Sequence, residues 1–398
     1  MFFLVSFAIL ALVYGYVGWR MISPFFLGSR WNSLVCFLVL LFLALPFLSL
    51  SLRMHGADGR VSDVIAWAGY IGMGFVSLVF VMLVARDAAL SAAILFRGTA
   101  KALGALAGAP PAGSFDPARR LFILRASNMA ILALAGILSL YGIYEAKRTP
   151  RVKRVDVPID DLPDGLEGFR IVQITDVHAG PTLKRRFIER VVSVSNRLDP
   201  DVAVLTGDLA DGSTAQLHDD VAPLAGLKAK HGVFFVTGNH EYYVGVQQWL
   251  EEVRGLGMTT LENEHRVILH NDARVLLAGV NDFDGGHFGG GHRSDPAQAC
   301  EGAGDADVAV LLAHQPRNVF AAEAAGYNLQ ISGHTHGGQY IPWNLLIGLQ
   351  QPYTSGLHRY CGMWLYVSRG TGYWGPPFRI GVPSEITEIV LRKGAAAD

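Results

Sequence analysis

Apolar residues crowd the first third of the chain in runs too long for strands and too continuous for one face of a surface helix. Four runs are long enough to cross a hydrocarbon core of ~30 Å, which takes about 20 helical residues. They extend from Phe2 to Trp19, from Trp31 to Leu52 around Pro46, from Val64 to Ala85, and from Leu121 to Tyr144. Pro46 is tolerable as a kink within a membrane helix. Arg125 and Asn128, near the start of the fourth run, suit a bundle interior, and Arg125 can also snorkel. The first run lacks a basic flank and three more follow it, so it reads as a retained span rather than a signal peptide. The stretch Ala88–Ala109 is apolar but carries Arg97 and Lys101, which predicts an interfacial amphipathic helix. Gly104, Gly108, Pro110, Pro111 and Gly113 then predict a loop.

Beyond Arg154 the period changes. Short β-rich runs at Phe169–Thr175, Val202–Thr206 and Val233–Thr237 alternate with helical patterns around Leu183–Leu198, Ala215–Leu227 and Val246–Leu256. Strand patterns then dominate, at Arg266–His270, Val275–Val280, Val308–Ala313, Leu329–Ser332, Trp364–Val367 and Glu385–Arg392. This order predicts an α/β sandwich with two sheets, carried behind an all-α transmembrane bundle. The expected division is a transmembrane region at 1–150 and a second domain at 151–398, with the boundary at Pro150 and the basic cluster after it.

Composition sharpens this picture. A hydrophobic fraction of 51% against 17% charged residues, with a mean hydropathy of +0.30, excludes a disordered chain and an ordinary soluble enzyme. Residues 1–150 hold 12 Lys/Arg and 5 Asp/Glu, whereas the remainder holds 21 and 29. No long basic run accompanies the acidic part, so nucleic acid is not an expected partner. Seven Lys/Arg flank each face of a four-span arrangement, so the positive-inside rule assigns no side to the second domain. Cys36, Cys300 and Cys361 form neither a disulfide framework nor a CxxC site.

Five polar clusters stand where strands stop: Asp176-Val-His178, Gly207-Asp208-Leu-Ala-Asp211, Gly238-Asn239-His240-Glu241, His314, and Gly333-His334-Thr-His336. Ligands at the carboxyl ends of neighbouring strands converge in one crevice. Imidazole, carboxylate and amide donors suit divalent Mn, Fe or Zn better than a thiolate metal. Two such ions need an oxygen between them, and a carboxylate provides one. The glycines before Asp208, Asn239 and His334 are expected to turn the backbone and aim the side chains inward. Each cluster alone is weak; all five in order, each behind a strand pattern, form a strong signal. No Walker motif and no nucleophilic triad accompanies them.

The series resembles the calcineurin-like metallophosphoesterases over about residues 165–392. Its ending, Gly333-His-Thr-His-Gly-Gly-Gln339 with Tyr366-Val-Ser-Arg-Gly-Thr-Gly372 and Pro383-Ser-Glu-Ile386, is similar to a bacterial branch. That branch holds membrane-associated, phosphodiesterase-like proteins of the YkuE/YaeI kind and transmembrane metallophosphoesterases. The resemblance implies an αββα sandwich and two divalent ions. Asp176, His178 and His336 would hold one ion, Asn239, His314 and His334 the other, with Asp208 bridging. His240 would sit beside the scissile phosphate, steadying its oxygens or protonating the leaving group. Asp211 is the natural carboxylate to orient that ring, with Asp176 as the alternative. Thr371 departs from the branch, where a larger apolar residue is expected, and is placed at the pocket rim.

Around the site, His287 and His292 lie in the glycine-dense stretch Asn281–His292, expected to be a solvated loop or a cover over the pocket. Arg369 and Arg379 are candidates for a forked contact with phosphate, with surface ion pairs as the competing reading; His287 joins them as a substrate-contact candidate. Core packing is expected for most of Trp343, Leu345, Leu346, Ile347 and Trp374, the alternative being a lip facing lipid. The expected function is membrane-anchored, dimetal hydrolysis of a phosphodiester or pyrophosphate near the lipid surface, lipid-linked substrates included. The expected setting is a bacterial cell membrane, and the branch points to the extracytoplasmic side. Competing functions are a non-catalytic metal-binding scaffold, which would be expected to lose His240, and a phosphomonoesterase regulating a membrane partner. A transporter finds only Arg125 and Asn128 within the expected spans, too few for a conduction path.

Overall fold

The computed structural model describes residues 2–26, 28–56, 59–106, 116–289 and 291–394. The chain divides into two compact units, Met1–Leu52 with Val64–Tyr141, and Arg53–Asp63 with Gly142–Asp398.

The long apolar runs form α1 (Phe2–Ile22), α2 (Ser29–Met54), α3 (Arg60–Leu106) and α4 (Pro117–Lys147). Each is long and apolar enough to cross a membrane. Helix α3 corrects two expectations. Ala88 onward is no separate interfacial helix, because Ala- and Leu-rich sequence without proline continues the same helix to Leu106. Gly104 lies inside it, and the rest of the loop expected at 108–113 falls outside the described residues. Continuity of α3 also enlarges the polar set within the helices. Asp87 accepts hydrogen bonds from Tyr16 Oη and Arg20 Nη2, each at 2.6 Å. Arg86 donates to Asp87 at 2.8 Å and to Asn128 Oδ1 at 2.5 Å. The Asn128 amide donates to the carbonyls of Arg20 and Met21. Charges in apolar surroundings are tolerated when they satisfy one another in this way. Gly69 lets α3 approach α2 closely at Pro46, where a Cβ would lie 2.9 Å from Pro46 N.

The second unit begins its sheets at β1 (Arg151–Ile159), a strand hidden in sequence by its basic residues. There follow β2 (Arg170–Ile174), α5 (Arg185–Asn196), β3 (Val202–Thr206), α6 (Thr214–Val221), β4 (Val233–Val236), α7 (Asn239–Val244), α8 (Val246–Gly255) and β5 (Thr259–Thr260). The later part comprises β6 (Glu264–His270), β7 (Ala273–Gly279), α9 (Pro296–Cys300), β8 (Val308–Leu312), α10 (Val319–Ala324), β9 (Leu329–Ser332), β10 (Gly356–Tyr360), β11 (Met363–Val367) and β12 (Glu385–Lys393). Two six-stranded sheets result, ordered β1-β12-β2-β3-β4-β5 and β10-β11-β9-β8-β7-β6.

The inner strands β2, β3, β4, β8 and β9 are buried on both faces and so read as near-continuous apolar runs. Ile171, Val204, Val236 and Ile389 of the first sheet meet Val275, Leu277, Val310 and Ile331 of the second. On the outer face of the first sheet, Val172, Ile174, Leu205 and Phe235 pack under Phe187, Leu217, Trp249 and Val253. Leu276, Leu311, Leu365 and Val367 pack likewise under Ala299, Val319 and Ala322 of α9 and α10. The layers are therefore helix, sheet, sheet, helix, as the sequence pattern and the resemblance both implied.

Trp249 is fully buried, and its indole N–H donates to the Gly212 carbonyl at 3.0 Å, one residue beyond Asp211. Trp249→Ala is expected to destabilise the domain by about 3–5 kcal/mol. Thermal unfolding of the full chain in detergent checks this; an unchanged midpoint contradicts it.

Candidate metal centre

Three parallel strands of one sheet, β2, β3 and β4, and two of the other, β8 and β9, end at the same edge. The turns leaving them carry Asp176 and His178, Asp208 and Asp211, Asn239 and His240, His314, and His334 with His336. The turns after β2 and β3 are tied together, Ala179 N donating to the Leu209 carbonyl and Asp211 N to the Ala179 carbonyl, both at 2.8 Å. Backbone strain sits on the functional residues themselves. Asp176, His178, Asp208, His334 and His336 all have φ between 50° and 71°, a region that non-glycine residues seldom occupy and that cost confines to over-determined sites. The expectation that glycines do the turning holds for Gly207, with φ 86°, but not for the other two. Gly238 is extended at φ −100°. A Cβ there would lie 2.2 Å from Asp208 Oδ1, and one on Gly333 would lie 2.3 Å from Asp176 Oδ2. These two glycines provide space for carboxylates.

The side chains gather in three overlapping groups: Asp176, His178 and His336; His178, Asp208 and His240; and Asp208, His314 and His334. His178 Nε2 lies 3.0 Å from His336 Nε2, which is 3.5 Å from Asp176 Oδ1. His314 Nε2 lies 3.2 Å from His334 Nδ1 and 3.2 Å from Asp208 Oδ2. That same Asp208 oxygen is 3.7 Å from His178 Nε2 and 3.9 Å from His240 Nε2. One atom thus lies between the two halves.

Surrounding groups fix each donor. His314 Nδ1 donates to the Thr206 carbonyl at 2.8 Å, which turns Nε2 toward Asp208 and His334. Asp211 Oδ1 meets His178 Nδ1 at 2.9 Å and His240 Nδ1 at 2.6 Å, so one carboxylate aims two imidazoles. Burial lowers His334, to about 3, with help from His314, and burial with His178 and Arg379 lowers His336. Both rings are therefore neutral, the form that offers a lone pair to a cation. Burial would raise Asp208, but His314, His240 and His178 hold it well below the usual carboxylate range. Burial would lower His240, but Asp208 and Asp211 raise it to about 9. Asn239 Oδ1 is buried with no hydrogen-bond partner, which a cation would supply. The donor set of imidazole nitrogens, carboxylate oxygens and this amide oxygen fits Mn, Fe or Zn.

Two residues take supporting roles that the sequence did not assign them. Glu241, fully buried, accepts from the backbone N–H groups of Gly238 (2.7 Å), Asp208 (3.1 Å) and Leu209 (2.7 Å), locking two ligand turns together. Arg379 is also fully buried, which corrects both readings made of it. Its donors are taken up by the carbonyls of Gly372, His336 and Arg369, and Nη2 lies 3.0 Å from His336 Nδ1. No fork is left for a phosphate, and no surface ion pair forms. Arg369 is half-buried in the segment that Arg379 clamps. His287 is 82% exposed and joins none of the three groups. Thr371 is buried rather than on the rim, donating to the Glu385 carbonyl at 2.9 Å. Only tertiary proximity exposes the roles of Glu241 and Arg379; the acidic residue directly after His240 was the one available hint.

The two-sheet sandwich with this edge of histidines and carboxylates defines a class. Residues 169–338 match the family model described as calcineurin-like phosphoesterase. The chain is 37% identical over 270 residues to a transmembrane protein with metallophosphoesterase domain from Danio rerio, covering 66% of this chain and 62% of that one. It is 33% identical to a metallophosphoesterase of Campylobacter jejuni, covering 70% and 73%, and 33% identical to one of Aquifex aeolicus, covering 64% and 98%. The chain belongs to the metallophosphoesterase family. It spans less than two thirds of the transmembrane relatives from Danio rerio and Bos taurus, 62% and 65% of their lengths.

Glu241→Ala leaves three buried N–H groups without acceptors. It is expected to destabilise the domain by roughly 3 kcal/mol or more and to weaken Mn binding about 10–100-fold, read by calorimetry on the full chain. Unchanged Mn affinity contradicts the positioning role.

Proposed function

We propose that this chain is a membrane-tethered hydrolase that cleaves a phosphodiester or pyrophosphate using two divalent cations. The tether is the helical region within residues 1–150, and the catalytic domain lies within 151–398. One observation carries the reading: Asp208 Oδ2 lies within 3.7 Å of His178 Nε2 and within 3.2 Å of His314 Nε2, so a single oxygen serves both groups. Asp176, His178 and His336 would hold one ion, and Asn239, His314 and His334 the other, with Asp208 common to both. When bound, Mn, Fe or Zn would supply a water of lowered pKa and positive charge against the phosphoryl oxygens.

The protein's own part is positioning and proton transfer. Asp211 grips His240 at Nδ1 and so turns Nε2 toward Asp208. From there Nε2 can hold a phosphoryl oxygen or pass its proton to the departing alkoxide, a role worth about 10²–10⁴-fold. Asp211 restrains His178 at the same time, so ligand and proton donor keep a fixed separation. The family branch favours an extracytoplasmic domain and a bacterial membrane.

The full chain with added Mn is expected to hydrolyse a chromogenic phosphodiester such as bis-p-nitrophenyl phosphate faster than the matching monoester. Asp208→Asn is expected to be inactive, and His240→Asn to lose about 10²–10⁴-fold in kcat while keeping its metal content. Absence of turnover with Mn, Fe and Zn alike overturns the assignment.

A further inference from the structure

Core packing was expected for the apolar residues after the Gly333–Gln339 motif, and they are on the surface instead. The segment from Ile341 to Gln351 carries no charged residue. Trp343 is 51% exposed, Leu345 71% and Leu349 85%, with Ile341 and Leu346 also exposed. The segment is built rather than loose at its base. Thr335 Oγ1 donates to the Thr354 carbonyl at 2.6 Å, closing the loop. Gly338, two residues past His336, lies so close to the short helix Trp343–Leu346 that a Cβ would fall 2.1 Å from Asn344 Cα. A loop whose ends meet normally packs its own side chains inward; this one turns them out beside a ligand-bearing turn.

The apolar surface continues to the proton donor. The Gln339 amide accepts from Trp374 N at 3.0 Å and donates to the Trp374 carbonyl at 3.1 Å. The Trp374 indole, 54% exposed, lies 5.7 Å from the His240 ring, and the exposed Tyr243 ring lies 5.3 Å from it. His240 is thus bordered by two aromatic rings in T-shaped contact and, past Gln339, by the charge-free loop.

We propose that the Ile341–Leu349 lip, with Trp374, binds the hydrocarbon part of an amphiphilic phosphate ester, so that the substrate presents its phosphate to the metal centre and its chain to the lip. This rests on the hydrolase reading above and narrows its substrate class. The occupant follows from three features together. The candidate phosphate-handling site reaches His336, five residues before the lip, the lip contains no charged residue, and the same chain carries four helices of membrane length, where amphiphiles reside. Water-soluble esters leave such a surface without a partner.

The test uses the full chain in nanodiscs with Mn and a series of p-nitrophenyl alkyl phosphodiesters from ethyl through octyl to dodecyl, each below its micellar concentration. The expected result is a kcat/KM that rises about tenfold or more from ethyl to octyl, carried by KM. The pair Leu345→Ser with Leu349→Ser is expected to flatten that rise, bringing the octyl kcat/KM down toward the ethyl value. A flat series in the unsubstituted chain, or an undiminished slope in the variant, overturns the proposal. A second arm works without turnover. A bimane label at Leu345→Cys, in a chain whose other cysteines are serine, is expected to be quenched by a brominated alkylphosphonate and not by inorganic phosphate, while a label at exposed Leu269 is not quenched. Absence of quenching at 345, or quenching there by brominated bilayer lipids alone, overturns the lip as a substrate site. If no ester is cleaved, the hydrolase reading fails and this arm still decides the lip.

Discussion

The structure turns on the burial of negative charge at one sheet edge. Asp176, Asp208 and Glu241 are all buried there, with Asp211 half-buried beside them. An uncompensated carboxylate in such surroundings costs several kcal/mol, and several together repel. Each is answered by specific partners. Asp176 accepts from His334 N, Asp208 Oδ1 from His240 N, Glu241 from three backbone N–H groups, and Asp211 from two imidazoles. Asp208 Oδ2 is the one oxygen shared among several rings, facing Nε2 of His178, His240 and His314 at 3.7, 3.9 and 3.2 Å. That sharing, with three overlapping groups of histidines and carboxylates, is what marks the cluster as a candidate metal centre.

The rest of the domain serves this edge. Strands buried on both faces are rigid, and their parallel register ends them level, so five turns meet. Left-handed backbone at five ligand residues is tolerable because neighbouring turns hydrogen-bond across, as in His178 N to the Asp208 carbonyl at 3.1 Å and Gly333 N to the His314 carbonyl at 2.9 Å. The strained turns hold these side chains facing one another, which would lower the reorganisation that binding a cation requires.

Much of this was legible in the chain, for a definite reason. Polar residues follow the apolar runs directly, so strand ends and candidate site residues announce each other, and the structure gathers Asp208, His314 and His336 into the clusters their positions implied. What escaped detection depended on distance in sequence. Glu241 reaches Asp208 N across 33 residues and Arg379 reaches His336 across 43, contacts that no local pattern encodes. β1 was obscured because Lys153 and Arg154 interrupt its alternation and resemble a membrane flank. The extension of α3 was obscured because Arg97 and Lys101 suggested an interface where helix propensity simply ran on. The lip at 341–349 was assigned to the core because apolar residues usually go there, and only its exposure shows otherwise.

The shared Asp208 oxygen is tested most directly by electron paramagnetic resonance of the full chain loaded with Mn. Two ions joined through one carboxylate give an exchange-coupled dimanganese spectrum at two Mn per chain, and Asp208→Asn replaces it with the six-line signal of isolated Mn. Two uncoupled ions in the unsubstituted chain, or a coupled pair that survives Asp208→Asn, would contradict the account.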